Sequence, residues 1–472
     1  MLVLPVELVK EVLEQFELDP EIQTSSDWLP LSRSSRLICC RAALRLIRLS
    51  DKLFHLMVQQ HLYKSIIGSQ LASEAFSRTI KQKPQLARLV RHLEWSIAVK
   101  LFSLAQNSDG TVVCYSPSQH YAQLVETLKT LSYMDKVEHL AVRFGVKLPT
   151  PGERPPSDAV TAFKIGLLPT SLLQPLSQAS FPSLIDLTYI GFEEADRNAK
   201  YRYSALSTWA SLCQILRLTL RNTGHVEDSL PHQATFAMSL SNLTRLAIVP
   251  SAAFDVNDGR IGQLARSCSG LSDLKIDFRS VGGIFFEPFI DRILEGQPIK
   301  HVIRLAIVWV EGDRLHGGTC GLQTLFPGLQ HLELTPYDSL SATLKQMFPP
   351  ATAFPTLRIV SLNRSTEALG EIGTIHSDLS IFTKADLYPN LRNCSFSCQL
   401  DIPEAMVGQS NQLYSFLVQD LSRLSKKASG QPELKLEYHF AKSESCSGRM
   451  LKGLHAHGGG EVHSTWCPAA EV

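Results

Sequence analysis

Nine charged or imidazole side chains recur at alternate positions of short apolar-patterned segments: Arg217, Arg221, Arg245, Asp273, Lys275, Asp277, Arg304, His331 and Glu333. Such residues offer ion pairing, and a guanidinium can take a carboxylate or phosphate through two parallel hydrogen bonds. Arg217, Arg221 and Arg245 follow one another in this pattern. An acidic or phosphorylated segment is the guest expected there.

Catalytic spacings are missing. The chain has no H-E-x-x-H for hydrolytic zinc, no G-x-S-x-G nucleophile turn, and no glycine-rich loop of the kind that cradles phosphate. Its ten cysteines include no C-x-x-C pair, so they read as free thiols, with Cys394 in a core position. Cys446, His455, His457, His463 and Cys467 cluster near the end, but their spacing fits no closed tetrahedral site. A non-catalytic protein with no cofactor and no metal is expected.

Charge and composition narrow the partner. Lys+Arg 46 against Asp+Glu 45 leaves +1, too little to hold nucleic acid by bulk charge. With 44% hydrophobic and 19% charged residues, the chain has ample material for a core. Its best apolar run, Val302 to Val310, is short and contains Arg304, so no bilayer crossing is expected. Met1-Leu-Val-Leu-Pro meets Glu7 without a basic n-region, so a cytoplasmic or nuclear location is expected.

A repeat must position the alternating charges. Apolar residues at positions 0, +3 and +5 recur from Val90, Val137, Leu184, Ile215, Leu243, Leu271, Val302, Leu329, Leu357 and Leu391. Phe181-Pro182, Phe326-Pro327, Phe354-Pro355 and Tyr388-Pro389 precede the pattern in the same phase, each two residues before its leucine. Proline ends a helix and keeps its predecessor extended, so each marks entry into a strand. Ile261, Leu264, Ala265 and Cys268, and Leu340, Leu344, Met347 and Phe348, have helical spacing. Strand, loop, helix and return make one unit, and units that bury apolar faces only against neighbours build a parallel solenoid.

The pattern resembles the leucine-rich repeat over residues 85–440. It lacks that family's Asn or Cys after the strand, where Ser251, Arg279, Val310 and Tyr337 stand instead. The resemblance implies an α/β fold with a curved parallel sheet. Positions +2, +4 and +6 should then line its concave face and be polar, with apolar exceptions such as Ala247, Val249, Ala306 and Val308. Leu434, Leu436, Tyr438 and Phe440 alternate like a final edge strand. Periodicity stops after Lys442, so residues 441–472 are expected to be a disordered tail.

The N-terminus is different in character. Leu8, Val9, Val12, Leu13 and Phe16 lie on one helical face behind Pro5, and two more helical stretches run from Leu31 to Leu49 and from Asp51 to Tyr63. Arg41, Arg45, Arg48 and Lys52 form a basic stripe. Leu4-Pro5-x-Glu7-Leu8, Leu37-Ile38-x-Cys40-Arg41 and Leu62-Tyr63-x-x-Ile66, in that order, resemble the F-box of fungal proteins. The resemblance implies a short all-α module over residues 1–66, then a connector over 67–84. Leu4, Pro5, Leu8, Val12, Leu13, Leu37 and Ile38 would bind a Skp-family adaptor that joins a cullin ubiquitin ligase. The solenoid would hold the protein substrate. The alternative is a free-standing leucine-rich-repeat scaffold with a helical cap and no ligase role.

Overall fold

The computed structural model describes residues 63–66, 74–99, 104–106, 112–114, 130–146, 181–190, 214–223, 240–250, 260–285, 288–311, 321–337, 340–349, 352–368, 379–384, 386–401, 433–440, 450–456 and 462–467. The chain divides into two compact units, Met1–Leu218 and Thr219–Val472. Both are built from parallel strands with helical segments, an α/β arrangement.

In the first unit, β1 (Ser65–Ile66), β2 (His92–Val99), β5 (His139–Val146) and β6 (Asp186–Ile190) pair in parallel in that order. Between β2 and β5, β3 (Leu104–Gln106) and β4 (Val112–Cys114) form a separate antiparallel pair. Helices α1 (Glu74–Gln82) and α2 (Pro84–Ala87) lead into β2, and α2 begins on its proline and buries Leu86 and Ala87. Strand β7 (Arg217–Thr223) carries the division between units.

The second unit runs β8 (Arg245–Pro250), β9 (Asp273–Asp277), β11 (Arg304–Glu311), β12 (His331–Pro336), β13 (Ile359–Ala368), β14 (Asn393–Asp401) and β15 (Glu433–Phe440), each parallel to the one before. A short β10 (Ile284–Phe285) pairs with the end of β11. Helices α3 (Arg260–Ser267), α4 (Leu322–Leu325) and α5 (Leu340–Met347) lie between strands. Ile261, Leu264 and Ala265 of α3, and Leu340, Leu344 and Met347 of α5, are buried, as their 3-4 spacing requires.

The apolar template is the core. Leu243, Leu246 and Ile248, Leu271, Leu274 and Ile276, and Leu329, Leu332 and Leu334 are almost wholly inaccessible. Registry aligns them, with Leu246 opposite Leu274, Leu305, Leu332, Val360 and Cys394 in successive strands. The aromatic-proline signals sit at turns. The carbonyls of Phe181, Phe326, Phe354 and Tyr388 accept from the N–H of the leucine three residues on. Thr356 Oγ1 donates to the Pro327 carbonyl at 3.2 Å, and Asn390 Nδ2 to the Pro355 carbonyl at 2.8 Å, tying each turn to its predecessor. Phe348, Phe354, Phe382 and Tyr388 pack together with centroids 5.1–6.3 Å apart.

Two expectations change. The segment expected to be a disordered tail contains β16 (Met450–Ala456) and β17 (Val462–Cys467), antiparallel to each other, with β16 antiparallel to β15. Strand β15 is therefore covered, not an edge. The signal was obscured because Lys452 and Gly453 break the alternation where the register shifts between Leu451 and Gly453. At the other end, Ile66 closes the F-box-like motif by sequence but is a buried residue of β1, paired with Leu93.

Candidate partner-binding face

Strand alternation sends the template residues into the core and presents the intervening ones on the opposite face. Register builds a row from Arg245, Asp273, Arg304 and His331, continued by Ile359 and Asn393. Two residues along each strand, Ala247, Lys275, Ala306, Glu333, Ser361 and Ser395 make a second row. A third includes Asp277, Val308 and Thr335. Seven of the nine residues expected at the site thus share one face of the second unit. Arg221 also belongs to this unit, while Arg217 is an exposed residue of the first.

Charges on this face are partly consumed by one another. Arg245 Nε donates to Asp273 Oδ2 at 2.8 Å, with both side chains half-buried. This removes Arg245 from the unpaired arginine set expected to take an anion. Asp277 is only 2% exposed. It accepts from the Arg279 backbone N–H at 3.1 Å, and from that side chain's Nε at 3.0–3.1 Å and Nη2 at 2.6 Å. Those bonds hold the Arg279 guanidinium above its ordinary pKa. Glu333 accepts from Asn363 Nδ2 at 3.3 Å.

Lys275 lies between Ala247 and Ala306. Burial pushes its ammonium below the usual lysine range, against the opposing pull of Glu333, Asp277 and Asp273. His331 is likewise held below the ordinary histidine value, first by burial and then by Arg304 and Arg358, with Asp273 opposing. Among the described residues, the Arg304 and Arg358 side chains make no ion pair, and both residues are exposed. Arg358 stands at +1 of its repeat, outside the alternating positions that sequence patterning selects. The backbone explains its place, because its N–H donates to the Gln330 carbonyl beside His331.

The face is less open than alternation alone implies. Ala247, Val249, Ala306 and Val308 are 5–8% exposed. They are short side chains between longer neighbours such as Lys275 and Glu333, and long stems shield small ones. At the far end of β11 the register slips between Val308 and Val310, leaving Trp309 as an extra residue with φ 62°. Beyond it the neighbour of β11 changes from β9 to β10. The indole lies 4.9 Å from the exposed Tyr337 ring. Sequence patterning contains no sign of this bulge.

The first unit has its own cluster. His92, His139 and Asp186 share a register row, with the imidazoles stacked at 4.5 Å and 7°. His139 Nδ1 lies 3.4 Å from Asp186 Oδ2. Among the described residues no three His, Cys, Asp or Glu side chains are placed to hold a metal ion, and no helix is long and apolar enough to cross a membrane. In the tail, His455 is opposite His463, and Cys467 opposite Met450. Cys446 and His457 lie outside the described residues, as do Leu4, Pro5, Leu8, Val12, Leu13, Leu37 and Ile38. Burial pushes the Cys268 thiol up to about 11 and that of Cys394 to about 12, so both are inert core residues.

No protein-family model matches the chain, and no curated protein is similar enough to count as a relative.

Proposed function

We propose that this chain is a non-catalytic substrate-recognition subunit of an SCF-type cullin ubiquitin ligase. Its F-box-like N-terminus would engage a Skp-family adaptor, and its repeats, wound as a leucine-rich-repeat solenoid, would hold the protein to be modified. The observation that carries the recognition half is the register row Arg245–Asp273–Arg304–His331 on a face whose reverse is core. Charged residues on rigid, regularly spaced strands suit binding of another chain. The ligase half rests on the three ordered motif pieces between Leu4 and Ile66.

Co-purification of the full chain with a Skp-family adaptor and a cullin tests this reading. Leu8→Asp should abolish capture, since an unpaired carboxylate in an apolar contact costs several kcal/mol. Deleting residues 1–62 should do the same while sparing β1. Full-strength capture by either variant contradicts the proposal. The free-standing scaffold is the second reading, favoured by one observation: Ser65 and Ile66 are built into the sheet of the first unit, as a capping element would be. Failure of the intact chain to capture any Skp-family adaptor selects it.

A further inference from the structure

The positive charge available on the second unit's face is concentrated at one end of the strands. Arg304 begins β11, His331 begins β12, and Arg358 immediately precedes β13. Arg304 is directly opposite His331, and the Arg358 N–H is bonded to the residue before His331. Arg245, on the other flank, is already engaged by Asp273. Two exposed arginines thus stand at the starts of the strands on either side of His331, and both act on its charge.

We infer that Arg304 and Arg358 take two carboxylates of an extended acidic segment of the partner, laid across β11, β12 and β13 over His331. This inference rests on reading the face as a substrate surface. Strand spacing sets the geometry: β11 and β13 are two strands apart, about 9.6 Å, and acidic residues three apart in an extended polyproline II segment, with three residues per turn, lie on one side about 9.3 Å apart. Charge balance selects carboxylates over phosphate. Asp273 on β9 and Glu333 on β12 lie on the same face, so a dianion meets more repulsion than two separated single charges.

The same geometry makes capture sensitive to pH. The groups acting on His331 are Arg304 and Arg358, which disfavour its protonation, and Asp273, which favours it. An incoming carboxylate neutralises the arginines and adds a negative charge, so His331 takes up a proton more readily in the bound state than in the free one. Affinity rises as pH falls, while glutamates remain ionised down to about pH 5.

The test uses the full chain and an unlabelled, end-capped ten-residue peptide whose only charges are two glutamates three residues apart, with binding read by calorimetry. Two companion peptides carry glutamine at both positions or phosphoserine at one. The glutamate peptide should bind at pH 7.5 and about three- to tenfold more tightly at pH 5.5. The glutamine peptide should bind at least tenfold more weakly. Arg304→Gln with Arg358→Gln should weaken binding at least tenfold, and His331→Gln should remove the pH dependence. All three substitutions are polar, and unchanged circular dichroism confirms that the variants are folded. Absent or pH-independent binding, undiminished binding by the double variant, or binding of the phosphoserine peptide alone overturns the inference. Adaptor capture by the same preparations reports separately on the ligase reading.

Discussion

Arg245 and Asp273 face each other across adjacent parallel strands at 2.8 Å, and Asp273 also acts on His331 two strands further on. The pair therefore sets how much charge the row presents. Because both side chains are partly exposed, a double-mutant cycle of Arg245→Gln and Asp273→Asn should give a coupling of only about 0.5 kcal/mol. Asp273→Asn should lower the His331 titration midpoint still further, measurable by NMR, because it removes the group that raises it.

The pair between Asp277 and Arg279 should behave differently. Asp277 is buried and Arg279 caps it, so Arg279→Ala takes three side-chain hydrogen bonds from the carboxylate and leaves it a backbone N–H and the attraction of Lys275. Loss of about 3 kcal/mol is expected in urea denaturation. Asp277→Asn should cost less, since it removes the buried charge and leaves an exposed guanidinium that water can solvate.

His331 contributes a pH dependence to stability with a definite sign. Its folded pKa is below the unfolded value near 6.5, so the folded state favours the neutral imidazole. That contribution is fully present above about pH 6.5 and is lost as pH falls through the folded pKa. Urea midpoints of the native chain and His331→Gln, measured at pH 7.5, 6 and 5, should diverge: the native chain loses more stability on acidification.

Gly282 and Gly283 separate backbone strain from contact. Both have positive φ, 83° and 94°, but a Cβ on Gly282 meets nothing within 4 Å, whereas one on Gly283 would lie 3.3 Å from Tyr337 Cγ. Gly282→Ala should cost about 1 kcal/mol from the left-handed backbone alone. Gly283→Ala should cost more and shift the near-ultraviolet signal of the Trp309–Tyr337 pair. Equal costs would mean that the turn yields to the new methyl group.

Removing residues 441–472 should lower the melting temperature or promote aggregation. The cut strips β16 from β15 and exposes, at the sheet's end, the outward backbone groups over Leu436 to His439 that β16 covers.

Much of this organisation is legible in the residues. Period-two apolar patterning gives the phase of β2, of β5 to β9 and of β11 to β14, because one face must be buried and a one-residue slip would reverse it; it gives no sign of β3, β4 or β10. The same reasoning identifies Arg304 and His331 as neighbours on the opposite face. It misses Arg358 because alternation says nothing about where residues just before a strand are placed. It misses the Arg245–Asp273 pairing too, since knowing that two side chains share a face does not establish whether their charges are already spent. Trp309 is invisible for a third reason: a bulge depends on the competition between β9 and β10 for one strand, not on the local sequence.

The side-chain stitches at Thr356 and Asn390 give the chain a tolerance map for insertion. Each turn is anchored to the proline carbonyl of the turn before, and the strand begins three residues after the anchor. A residue added between anchor and strand would swap the two faces of that strand and bury its polar side. One added between a strand's end and the next anchor leaves every row intact. The interval from Leu329 to Leu357 is 28 residues and the next, to Leu391, is 34, yet Ile359 still lies opposite Asn393. Length can therefore drift along the outer path while the spacing of the charged rows is inherited unchanged.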